Sequence, residues 1–122
     1  MTSEELDSHA SLQQLVGRVL SSVEFVQDYF QIRFDGPTIN VMNPTSVTVG
    51  STRSQSWDNQ FRNMLCGQIG KRVEGVTVAP GKFLNLHFAD GSRVDVSLRE
   101  EDYCCAEAIY FSGFPNDEWG VI

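Results

Sequence analysis

Two stretches of this 122-residue chain follow the same alternation and end in the same turn. Leu84, Leu86 and Phe88 alternate with Asn85 and His87 and run into Asp90-Gly91. Phe30, Ile32 and Phe34 alternate with Gln31 and Arg33 and run into Asp35-Gly36. Alternation of this kind places the apolar side chains on one face of an extended strand. Asp-Gly supplies the positive φ that a tight hairpin turn requires. A lone hairpin with one apolar face is marginal in water, so each of these needs a partner, and the chain carries two.

The correspondence extends beyond the hairpins. Gly17, Val23, Phe25 and Phe30 align with Gly70, Val76, Val78 and Phe83 at an offset of 53, and Ile32 and Phe34 align with Leu86 and Phe88 at 54. Gly36, Ile39 and Val41 align with Gly91, Val94 and Val96 at 55. The implied unit is a helix followed by four strands, present twice, with pseudo-repeats at about 3–50 and 55–111 inside one domain covering residues 1–122. The expected fold is α+β: two short helices and a largely antiparallel sheet, the two units packing as a roll or barrel-like sheet.

The helices are read from caps and spacing. Over residues 3–16, Ser3 suits the cap, Glu4, Glu5 and Asp7 suit the positive N-terminal end, and Leu12, Leu15 and Val16 share a face. Gly17 stops that helix. In the second, Ser56 is the expected cap and Trp57, Phe61, Met64 and Leu65 form the apolar stripe, with Gly67 at the end. Residues 50–55 read as a polar connection. Further strands are expected around Ile39–Val41, Val47–Val49, Val73–Val78, Val94–Leu98, Ala106–Phe111 and, as an edge, Trp119–Ile122.

The net charge of −7 is unevenly placed: residues 95–122 hold seven acids against Arg99 alone. Such a field repels phosphate backbones and favours basic partners, so nucleic-acid binding is not expected. No apolar run approaches the roughly 20 residues of a membrane span, and the acidic start Met-Thr-Ser-Glu-Glu lacks the pattern of a signal peptide. A cytoplasmic protein is expected. The three cysteines, Cys66, Cys104 and Cys105, agree: the count is odd, and two are adjacent, a poor arrangement for an ordinary disulfide.

Catalytic chemistry finds little support. His87 alternates with core residues and points outward, with Asp95 across the turn as a cross-strand neighbour. Acids precede Cys104-Cys105 and disfavour a thiolate nucleophile. His9 and His87 are far apart, no zinc spacing is present, and neither a phosphate-binding glycine loop nor a nucleophile elbow occurs. No catalytic residue, metal or cofactor is expected. What remains is the acidic section, where Glu100, Glu101, Asp102, Asp117 and Glu118 lie near Trp119. Acids steer a basic partner and tryptophan is a favoured interface anchor.

Leu65, Ile69-Gly70, Val73, Val76, Leu84, Leu86-His87-Phe88, Asp90-Gly91, Val94, Val96 and Glu107-Ala108-Ile109 together resemble a widespread set of small, mostly uncharacterised bacterial helix-plus-meander domains. The resemblance covers about residues 60–111. Ile109 stands where that pattern often has tryptophan, and Cys104-Cys105 precede it. Some proteins of this kind are immunity partners of bacterial toxins, and the resemblance carries no catalytic residues. The expected function is a non-enzymatic interaction domain, an immunity-like protein that neutralises a basic toxin domain through its acidic face. The alternatives are a small-molecule-binding or enzymatic domain using the sheet interior near His87, and a structural homodimer.

Overall fold

The computed structural model describes residues 10–122. It holds two five-stranded sheets in which every pairing is antiparallel. The strands are β1 (Ser22–Val26), β2 (Tyr29–Arg33), β3 (Thr38–Val41), β4 (Thr45–Val49), β5 (Thr52–Gln55), β6 (Val73–Ala79), β7 (Phe83–Phe88), β8 (Arg93–Ser97), β9 (Ile109–Ser112) and β10 (Gly120–Val121). One short helix, Phe61–Cys66, lies between β5 and β6. Residues 10–12 are helical and run into a 3-10 turn at Gln13–Leu15. The fold is thus α+β, with two short helices and an all-antiparallel sheet system.

The strand orders are β1-β2-β3-β9-β10 and β6-β7-β8-β4-β5. Each half of the chain builds a three-strand meander, then sends its fourth and fifth strands into the other half's sheet. β4 pairs with β8 and β9 pairs with β3. The inner faces supply one continuous core that includes Ile32, Phe34, Ile39, Phe111, Leu84, Leu86, Phe88 and Val94. The sheets do not close into a barrel. They meet at one edge, through a bridge between Val19 and Arg72.

The hydrogen bonds around that bridge are reciprocal. Gly17 N–H donates to Val73 O at 2.8 Å, and Gly70 N–H donates to Leu20 O at 2.8 Å. Leu20 N–H donates to Lys71 O at 3.0 Å, and Val73 N–H to Arg18 O at 2.8 Å. Every donor and acceptor in one half has its counterpart 53 residues away in the other. At the crossovers the same exchange recurs: Met42 N–H donates to Ala108 O at 2.9 Å and Ser97 N–H to Pro44 O at 2.9 Å.

Several expectations are corrected. Phe30 corresponds to Leu84, not to Phe83, because Phe25 pairs with Phe30 as Val78 pairs with Leu84. The offset therefore changes in the hairpin loop, and Phe83 faces outward. Residues 52–55 are a strand, not a connection, so each half has five strands. Ser56 does not cap the helix: its hydroxyl accepts the Thr45 N–H at 3.0 Å and its own N–H donates to Thr45 O at 2.8 Å, extending the β4–β5 ladder. The helix begins only at Phe61. Trp57 accordingly leaves the apolar stripe and is 69% exposed. The cap and acidic first turn expected at Ser3, Glu4, Glu5 and Asp7 lie outside the described residues.

Candidate functional site

The outer face of the β6–β7–β8–β4–β5 sheet carries a polar groove. Register places Ser46 beside Asp95, Asp95 beside Asn85 and Asn85 beside Thr77 across four strands. The next row runs Thr48, Arg93, His87 and Gly75. These residues alternate with Val47, Val94, Leu86 and Val76, whose burial fixes which side the polar row must face.

Over this floor stands a groove of about 950 Å³, walled by Trp57, Phe83, Arg53, Lys82, Arg99, Glu101 and Asp102. A smaller depression, bounded by Asn85, His87 and Arg93, shares Phe83 and Asp95 with it. Asp95 is held from two sides: Asn85 Nδ2 donates to its Oδ1 at 2.7 Å, and Arg93 Nε lies 3.2 Å from its Oδ2. Ser46 is only 4% exposed, and its hydroxyl, like that of Thr48, has no hydrogen-bond partner among the described residues. Arg53, Lys82 and Arg99 enter no ion pair among the described residues.

His87 is exposed on this outer face, as its alternation implies. Its cross-strand neighbour is Arg93, and Asp95 belongs to Asn85. The space between the sheets near His87 is filled by Leu84, Leu86, Val94 and Val96, all buried, so a ligand would meet His87 from outside rather than in the sheet interior.

The acidic residues fall into two groups. Glu100–Asp102 form a 3-10 turn directly after β8. Ser97 anchors it by donating its hydroxyl to Asp102 and accepting the Arg99 N–H at 3.2 Å. Glu101 borders the groove on one side and, with Glu100, a second depression on the other, lined by Pro80, Tyr103, Glu107 and Ile122. Asp117, Glu118 and Trp119 lie at the far end of β10, beside Ala10, Ser11 and Gln14. There Gln14 Nε2 donates to Glu118, and Trp119, 67% exposed, packs on Tyr110 with ring centroids 6.4 Å apart.

The six predicted residues thus occupy two separate places, and the groove adds others that the pattern does not mark, Trp57, Arg53 and Ser46 among them. Trp57 was assigned to a buried stripe, while Arg53 and Ser46 lay in stretches read as connection and plain strand. The signal available was Gln55 to Asp58, a segment whose Asp58 carboxylate accepts the Gln55 N–H at 2.8 Å, marking a turn rather than a helix start. Among the described residues, no group of three or more His, Cys, Asp or Glu is arranged to hold a metal, and no helix is long and apolar enough to cross a membrane. Comparison with family models, with curated proteins and with solved structures returns no match.

Proposed function

We propose that the chain is a non-enzymatic interaction domain that binds a basic protein partner, in the manner of an immunity protein, through the Glu100–Asp102 turn and the groove beside it. The observation that carries this reading is exposed Glu101 facing Trp57 across a groove of about 950 Å³, with exposed Glu100 beside it on the same turn at the neighbouring depression, neither carboxylate in an ion pair among the described residues. A large aromatic left exposed beside unpaired carboxylates has the composition of an interface centre with a steering rim. The site at Asp117, Glu118 and Trp119 would serve as a second contact of the same sign.

The test is titration calorimetry against the protein encoded beside this chain's gene, at two salt concentrations. Binding that weakens about tenfold or more for Trp57→Ala, and loses its salt dependence for Glu100→Lys with Glu101→Lys, supports the reading. Absence of binding, or binding indifferent to all three changes, sinks it. Asp102 is left intact because its carboxylate holds the turn.

A second reading rests on a different observation, the hydroxyl of Ser46 on the groove floor and that of Thr48 in the next row of the same strand, both without a hydrogen-bond partner among the described residues. Buried polar atoms of this kind mark the floor of a site for a small polar ligand. Such a ligand would sit over Asp95, with Trp57 and Phe83 at its sides. Self-association of the chain, measured by light scattering, separates the homodimer alternative from both.

A further inference from the structure

We propose that Cys104 and Cys105 form a two-sulfur chelating site for a thiophilic centre, either a soft divalent cation or a trivalent arsenical. The inference is independent of the partner-binding face. Neighbouring side chains of an extended chain point to opposite sides. Here the backbone bends at residues 104–106, between the Glu100–Asp102 turn and β9, and the two sulfurs come to lie 3.7 Å apart. Both side chains are exposed. Cys104 is further held by its thiol, which donates to Met42 O at 3.3 Å and ties the bend to the crossover between β3 and β4.

The separation matches chelation. Two thiolates bound at about 2.3 Å to a tetrahedral ion lie about 3.8 Å from each other. The pair can therefore close on such a centre with almost no movement. A disulfide would need the sulfurs to approach to about 2.05 Å through a strained ring, so the present arrangement is nearer to a chelate than to an oxidised pair.

The surroundings favour a positive guest. Glu107 and Asp28 bring negative charge to the pair. Such a field suppresses a free thiolate nucleophile but is neutralised when a cation takes the place of the protons. No third protein ligand is gathered there among the described residues, so the remaining positions fall to solvent or to the centre's own substituent.

For an arsenic(III) oxide the step is balanced without an oxidant. Two As–S bonds form, the arsenic–oxygen double bond breaks, both thiol protons leave with the oxygen as water, and arsenic stays trivalent. For a divalent cation, two metal–sulfur bonds form and two protons are released to solvent.

The experiment uses the full chain with two probes. Phenylarsine oxide is followed by intact mass, and cadmium by thiolate-to-metal absorption with proton release. The expected result is one equivalent of each, resistant to a monothiol wash and removed by a dithiol. Cys104→Ser and Cys105→Ser should each weaken retention roughly a hundredfold, the order that a second intramolecular contact contributes. Cys66→Ser, at the end of the helix, should retain full binding. Retention of both probes by either single variant, or loss only in Cys66→Ser, overturns the proposal. Response to one probe alone identifies which class of centre the pair holds.

Discussion

Gly113 meets the carbonyl of Gly36 so closely that a Cβ built there would stand 2.3 Å from that oxygen, and its φ is +75°. Both facts exclude a side chain, and the clash is with backbone, which cannot swing aside. Gly113→Ala is therefore expected to cost about 3 kcal/mol or more, read as a shifted urea midpoint with unchanged slope. Asp90 shows the other kind of residue effect. The Lys71 ammonium at 2.7 Å, the Ser92 hydroxyl at 2.5 Å and the Ser92 N–H at 3.0 Å hold its carboxyl well below the usual carboxylate range. A carboxyl depressed in the folded state contributes stability that is full above its ordinary value near 4 and fades as pH falls below it. Asp90→Asn should flatten the loss of stability between about pH 4 and pH 2; equal acid sensitivity in both proteins would refute the assignment. Asp-Gly was visible as a turn, but nothing in the local pattern pointed to Lys71, 19 positions upstream.

At the scale of elements, nine of the ten strands were legible, most of them by alternation because their inner residues are buried and apolar. β5 escaped since its only inward residue is Ser54, a small polar side chain in a polar run. Its neighbours Arg53 and Gln55 face the groove, so the strand missed by pattern is also one that lines the candidate site. The helix was legible in existence but not in start. Ser56, a good cap by type, was already bonded into the β4–β5 ladder, and long-range pairing overrode the local preference. Six residues are too few to hold a helix in water alone. This one persists by burying Phe61 and Leu65, with Phe61 meeting Phe30 edge-on at 5.8 Å between ring centroids. Phe61→Ala should cost about 3–5 kcal/mol, and amide exchange in residues 61–66 should rise far more than in β7. Uniform loss of protection would mean that the helix and sheets open as one unit.

At the scale of the whole molecule, the reciprocal bonds around Val19 and Arg72 make the two halves answer to the same physical constraints. The repeated spacing of glycines and apolar residues was readable, because each half needs the same turns and the same inward row. The exchange of β4 and β9 was not, since nothing local in either strand says which neighbouring sheet it will join. Gly17 and Gly70 test the equivalence directly. Both have positive φ, +90° and +93°, and in both a Cβ would meet nothing within 4 Å. Substitution by alanine therefore carries only the conformational cost of a left-handed backbone, about 1–2 kcal/mol. The two single variants should agree within about 0.5 kcal/mol in urea melts, the scatter expected of equivalent sites, and each should fall well below Gly113→Ala, where backbone collision is added. If Gly17→Ala is severe while Gly70→Ala is silent, the two-fold arrangement of the backbone does not extend to its energetics, and the halves contribute to the fold unequally.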